Sequence, residues 1–228
     1  MKKFELHAHT AECDVVAKLG GADLVKSYID AGYDGMVITD HYFSHFYEWF
    51  SDEIPEQSQK SVIDRYLKGY RAARREAEKS GFVVLCGAEV RFDGSINDYL
   101  IYGLEESDFY NLPLLNRLGG IDELVRVVPD YAVVVQAHPF RDNMTVSNPC
   151  NLFGIEVYNG GTDSFRNEMA KIFAEHYEKA MTSGSDVHSE KAVARGGIAT
   201  ECDIRSSRDL VEVLKSGNYE LITPDNHK

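Results

Sequence analysis

Short apolar runs alternate with amphipathic stretches along the whole chain. From Phe4 to Thr10 the pattern is that of a strand, with His7 and His9 on one face and Leu6 and Ala8 on the other. Residues 22–31 set Leu24, Val25, Tyr28 and Ile29 at helical spacing, and Gly32 closes that helix. A strand over 35–39 follows, then the aromatic stretch Tyr42 to Phe50, which reads as a loop or lid over the strand ends. Glu56 to Ser80 reads as one long helix, with Val62, Ile63, Tyr66, Leu67 and Tyr70 on one face and Gly81 at its end. Further strands are expected over 82–86, 98–103, 132–137, 154–159, 180–185 and 197–200. Helices are expected over 121–128, 163–177 and 207–216, the last begun by Ser206 or Ser207 with Asp209 in its first turn. Asp93-Gly94 signals a turn, Pro139 stops the strand before it, and the tail after Ile222 is polar.

Strand and helix thus alternate six or seven times, which predicts an α/β fold with a mainly parallel sheet. No linker, repeat or low-complexity stretch divides the chain, so a single domain over 1–228 is expected. A doubly wound sheet of dinucleotide-binding type would need a GxGxxG after its first strand, and there is none. The chemistry-bearing residues lie at strand ends from residue 7 to residue 188, and closing the sheet into a barrel brings such ends to one mouth.

Composition narrows the function classes. The net charge of -13 repels a phosphate backbone and argues against a nucleic-acid partner. No apolar run approaches the ~20 residues of a membrane span, and the first strand begins so early that no signal peptide is expected. Cys13, Cys86, Cys150 and Cys202 form no CxxC pair and are read as reduced thiols of a cytoplasmic protein.

The candidate chemistry sits where four apolar runs end. An isolated HxH is more often two ordinary histidines than a metal site. Here Met36 to Thr39 leads to Asp40-His41, Val133 to Ala137 leads to His138, and Met181 to Ser185 leads to Asp186-Val187-His188. With Asp14, Glu89 and Asp98, the candidate ligands are His7, His9, Asp14, His41, Glu89, Asp98, His138, Asp186 and His188. Zinc takes about four ligands and manganese about six, so this set implies two or three divalent ions. Imidazole and carboxylate without thiolate suit Zn, Mn or Fe at a catalytic site. Ions ~4 Å apart suit phosphate-ester hydrolysis, one activating water while its neighbours hold the phosphoryl oxygens.

His7-Ala8-His9-Thr10, Ile38-Thr39-Asp40-His41, His138 after its apolar strand and Asp186-Val187-His188 resemble, in order, the four motifs of the PHP (polymerase and histidinol phosphatase) family. The resemblance spans nearly the whole chain. It implies a distorted (β/α)7 barrel with a di- or trinuclear metal centre at the strand C-termini. It also implies a bridging role for Glu89 in Gly87-Ala88-Glu89. On this resemblance one ion takes His7, His9, Glu89 and Asp186, a second shares Glu89 and takes His138, and a third takes His41, His188 and a loop residue. Asp14 is preferred to Cys13 for that loop role, because a carboxylate suits the harder ions. Many members carry a histidine where this chain has Asp98, which either replaces it as an oxygen ligand or leaves the second ion more weakly held.

The expected activity is hydrolysis of a small phosphate monoester by a metal-bound hydroxide, with histidinol phosphate the first candidate. Asp186 or His188 would manage protons near the leaving group. The expected partner is a small phosphorylated metabolite, with neither nucleic acid nor membrane. A nucleotide or oligonucleotide phosphoesterase, a binding module without activity and an amidohydrolase-like enzyme are the competing readings. Arg141 and Arg195 could grip the substrate phosphate, and serve equally well as surface arginines. Tyr42, Phe43, His45, Phe46, Tyr47 and Trp49 could wall a pocket, or simply pack a loop. Asp40 is expected to orient an imidazole, and Glu156 and Asn159 to support the site from behind. His176 and His227 are given no role.

Overall fold

A computed structural model describes residues 1–224 of the chain, so His227 lies outside the described residues. Its strands are β1 (Lys2–Ala8), β2 (Gly35–Ile38), β3 (His41–Tyr42), β4 (Val83–Cys86), β5 (Ala88–Arg91) and β6 (Asp98–Tyr102), then β7 (Val133–Gln136), β8 (Gly154–Asn159), β9 (Ala180–Gly184), β10 (Gly197–Thr200) and β11 (Glu220–Ile222). They form two hydrogen-bonded sheets, ordered β11-β10-β1-β2-β4 and β3-β5-β6-β7-β8-β9. The fold is mixed α/β, and no continuous ladder among the described residues joins the sheets into a closed barrel. They meet where Ala8 at the end of β1 bridges in parallel to Val187 beyond β9, and again where the Gly87 and Glu89 N–H groups, at the step from β4 to β5, donate to the Ile38 and Asp40 carbonyls.

The sheets are also less parallel than the alternation predicts. β1, β2 and β4 run parallel, as do β7, β8 and β9. The Asp93-Gly94 turn instead folds β5 and β6 into a hairpin, β7 continues it antiparallel, and β10 lies antiparallel to both β1 and β11. A hairpin needs only a short turn, whereas a parallel return needs a crossover of a dozen or more residues.

The expected helix over 56–80 is two helices, Gln59–Tyr66 and Lys68–Ala77, meeting at Leu67 with φ -78 and ψ 3. The second passes so close to the loop after β1 that a Cβ on Gly69 would stand 1.9 Å from Thr10 Oγ1. Only glycine permits that approach. The aromatic stretch contains a short helix, Ser44–Trp49, and helices also form over Gly21–Asp30, Glu106–Asn111, Ile121–Val127, Ser164–His176 and Ser207–Ser216. The last has the expected capping box, Ser206 with Asp209, and ends at Gly217 with φ 70.

Two apolar clusters hold these elements. The first lies between the sheets and their surrounding helices and includes Leu24, Tyr28, Met36, Ile63 and Ala73. The second draws Phe4, Leu6, Val37 and Leu85 from one sheet together with Leu100, Tyr102, Val133 and Val135 from the other. Leu210, Val211 and Leu214 of the Ser207–Ser216 helix pack into this same cluster. The polar strand ends are thus mounted on rigid, fully packed supports.

Candidate metal centre

Alternation along β1 turns His7 and His9 to one side, and both are fully buried. Glu89 on β5 pairs in register with His41 on β3. His138 and Asp186 follow β7 and β9 and are non-glycine residues with positive φ, 28° and 52°. Such backbone is held only where the surroundings over-determine it, as they do at functional sites. Gly184, just before this turn, admits His7: a Cβ there would stand 2.4 Å from His7 Cβ.

The donor atoms converge. His7 Nε2 lies 3.3 Å from Glu89 Oε2 and 3.6 Å from Asp186 Oδ1, and His9 Nε2 lies 3.3 Å from each. A tetrahedral ion with bonds of ~2.0–2.1 Å sets its ligand atoms roughly 3.3–3.4 Å apart, wider than most hydrogen bonds. His7 Nε2, both ring nitrogens of His9 and Glu89 Oε2 are buried with no hydrogen-bond partner. Orphaned donors and acceptors at that spacing, all aimed at one another, fit a shared divalent ion. A second group lies on the other side of Glu89: its Oε1 is 3.0 Å from His138 Nε2, which is 3.9 Å from Asp98 Oδ2. In the third, Asp14 Oδ2 stands 3.1 Å from His188 Nε2 and 3.5 Å from His41 Nε2. All nine candidate ligands fall into these overlapping clusters, with Glu89 reaching from one to the next.

The electrostatics follow from packing charge into a dry place. Burial, which disfavours charge, is outweighed at Glu89 by His7, His41 and His138, so its carboxyl is held well below the usual range. The same contest, won chiefly by His7 and His9, holds Asp186 low. His41, part-buried and facing Glu89, is pushed up to about 9. His9, buried beside His41 and His188, is driven down to about 3 and stays a neutral lone-pair donor.

Glu156 and Asn159 support the cup as expected. Glu156 Oε1 is 2.8 Å from His7 Nδ1, fixing which ring nitrogen faces inward, and its Oε2 accepts the His138 N–H at 3.0 Å. Asn159 donates to Glu156 and to Asp186. Asp40 does not orient an imidazole: its carboxylate accepts the Thr10 N–H and hydroxyl, shaping the loop that carries Asp14. Burial raises its pKa to about 7. Cys13 turns away, its thiol donating to the Tyr66 carbonyl at 2.8 Å.

The arginines part company. Arg141 reaches the rim, donating to Asp186 Oδ2 and Asn159 Oδ1. Arg195 instead donates to the Gly160 carbonyl at 3.2 Å. His45 is exposed, its ring beside Phe43 and Trp49, and Phe43 in turn lies 5.0 Å from His41, centroid to centroid. Two participants escape the sequence reading. Glu5, wholly buried, accepts the N–H groups of Leu6, His7 and Ser185 on Oε1 and the Tyr28 and Ser185 hydroxyls on Oε2. Arg91 forks onto Asp98. The clue to Glu5 is a lone carboxylate inside an apolar strand, and the clue to Arg91 is the hairpin turn that sets it opposite Asp98.

Known structures share this architecture. A two-domain protein from Bacteroides vulgatus containing a predicted PHP-like metal-dependent phosphoesterase aligns at TM-score 0.67 and 17% identity, covering 97% of this chain. The chain spans 64% of that protein's length. A candidate metal-dependent phosphoesterase from Bifidobacterium adolescentis aligns at TM-score 0.53 and 17% identity, over 93% of this chain and 95% of its own. An amidohydrolase from Chromobacterium violaceum with bound sulfate aligns at TM-score 0.57 and 13% identity, over 98% and 99%. At these identities the likeness is one of fold. No protein of curated function matches the chain. Residues 165–219 match the family model described as PHP-associated. Over residues 165–219 the chain is thus similar to PHP-associated sequences, and over nearly all its length it shares the fold of a PHP-like structure.

Proposed function

We propose that this chain is a metal-dependent phosphoesterase acting on a small phosphate monoester, of the kind histidinol phosphate represents. The observation that carries this reading is the set of buried, unpartnered imidazole and carboxylate atoms around Glu89. Divalent ions bound there would supply an activated water and positive charge for the phosphoryl oxygens. The chain's own residues supply the rest. Glu156 and Asn159 hold His7, His138 and Asp186 in place, so the site needs little rearrangement as charge develops. Arg141 presents its guanidinium at the rim, where it can turn from Asp186 to a substrate oxygen. His188, 29% exposed at its side chain, is the ligand best placed to pass a proton to a leaving group at the mouth. The sulfate in the Chromobacterium violaceum relative is an oxyanion of phosphate's shape, in keeping with this choice.

We also infer that the two sheets form a distorted (β/α)7 barrel, supported by the apolar cluster that both contribute to and by the Ala8–Val187 bridge. The amidohydrolase reading is weaker, because a glutamate stands where such sites carry a bridging lysine. The test is a panel of phosphorylated metabolites, nucleotides, p-nitrophenyl phosphate and amides, run on protein with measured Mn, Zn or Fe content. Turnover of monoesters is expected. Amide turnover alone, or none with any ion, would overturn the assignment.

A further inference from the structure

The Glu89–Asp98–His138 position differs from its neighbours in having both oxygens of one carboxylate already taken by a protein cation. Arg91 and Asp98 stand directly opposite each other in the β5–β6 ladder, and alternation puts Arg91 on the face of Glu89. Arg91 Nε donates to Asp98 Oδ1 at 2.6 Å and Nη2 to Oδ2 at 2.6 Å, a two-pronged pair that engages both carboxylate oxygens. The Asp98 side chain is 2% exposed and that of Arg91 35% exposed, so the guanidinium closes the carboxylate off from the mouth. Arg141 treats Asp186 differently. It takes only Oδ2, leaving Oδ1 to face His7 and His9. Among the described residues, no lysine or arginine forms an ion pair with Glu89 or Asp14.

We propose that Arg91 serves as the counter-ion of Asp98 in place of a metal ion, so that the centre holds its ions unequally. The His7–His9–Glu89–Asp186 cradle and the Asp14–His41–His188 position bind a divalent ion tightly. The Glu89–Asp98–His138 position fills weakly, because an incoming ion must share or displace a guanidinium whose charge repels it. This inference rests on the metal-centre reading, and it sets which ions persist when metal is scarce.

The test is a Mn²⁺ titration of the chelator-stripped full chain, read by calorimetry and by the electron paramagnetic resonance of free Mn²⁺. Wild type is expected to bind two ions tightly and a third at least ~10-fold more weakly, the scale of one lost charge repulsion. Arg91→Gln should tighten the third ion by about that factor and leave the others unchanged. Asp98→His, which frees Arg91 and adds an imidazole, should tighten it too. Circular dichroism checks that each variant is folded, and the wild-type titration stands without them. Three ions of equal affinity in wild type, or a third site weakened in Arg91→Gln, would overturn the proposal. Failure to bind any ion would remove the metal-centre reading itself. Two tight ions with a third untouched by Arg91→Gln would remove only the role given to Arg91.

Discussion

Two carboxylates on this molecule are equally hidden from water and have opposite surroundings. Around Glu5, three backbone N–H groups and two hydroxyls saturate both oxygens. Around Glu89, Oε2 has imidazole nitrogens at 2.7–3.3 Å and no hydrogen bond. Glu5 sits two residues from His7, yet its socket ties β1 to Ser185 and leaves no lone pair for a ligand. The difference teaches how to read buried acids: burial marks both, but only the unsatisfied one points to something that binds.

The largest expected effect separates the two at once. Glu89→Gln should lower phosphate-ester turnover by about a thousandfold, several kcal/mol of lost charge stabilisation, and reduce bound metal. Stability of the stripped protein should fall less than in Glu5→Leu, since glutamine keeps an oxygen for His138 while the charge that offsets His7 and His41 is lost. Metal analysis, kcat and urea unfolding together check this. Glu5→Leu should do the reverse. It leaves five donors unpaired or displaced and should cost about 3 kcal/mol in urea unfolding, with metal retained while the chain is folded. Glu5→Gln should cost less, about 2 kcal/mol. Its oxygen keeps the N–H groups and the Tyr28 hydroxyl can rotate to accept, while Ser185 Oγ, already accepting the Arg195 and Gly196 N–H groups, loses the acceptor for its proton.

Chelation gives the next effect. Stripping ions present at about a hundredfold over Kd should remove about 2.7 kcal/mol of apparent stability for each ion held. That increment should persist in Glu5→Gln and shrink in Glu89→Gln, and a thermal melt with and without chelator decides. The smallest effect is expected at the rim. Arg141→Met should raise KM for a phosphate monoester roughly tenfold through one lost charge-assisted contact, with kcat less affected. An unchanged KM would leave Arg141 as a partner of Asp186 alone.

What could be read from the chain alone was whatever depends on local pattern. The imidazoles and acids follow apolar runs, so the ends of β1, β2, β7 and β9 were visible before any fold was known, and their clustering follows once those ends meet. Relations set by tertiary packing were hidden. The break at Leu67 and the close approach of Gly69 to Thr10 are relations that helical periodicity does not encode. The antiparallel course of β6 and β10 changes no residue's spacing, so alternation read them as members of a parallel set. Asp40 beside His41 looked like an imidazole's partner, but the strand aims it at Thr10. Asp98 read only as a candidate ligand, and nothing in the spacing set Arg91 opposite it until the hairpin register did.

The placement of β1 reaches beyond the resting molecule. Its neighbours are β2, from the chain's first quarter, and β10, paired from Lys2↔Thr200 to Phe4↔Ile198. The strand bearing His7 is therefore made well before β10 and clamped on that side only when residues near 200 emerge. Contacts this distant along a chain form slowly. A nascent chain that has just finished Asp186 and His188 holds every donor of the cup without the brace that stiffens it, so selective ion capture belongs to the end of folding rather than its start.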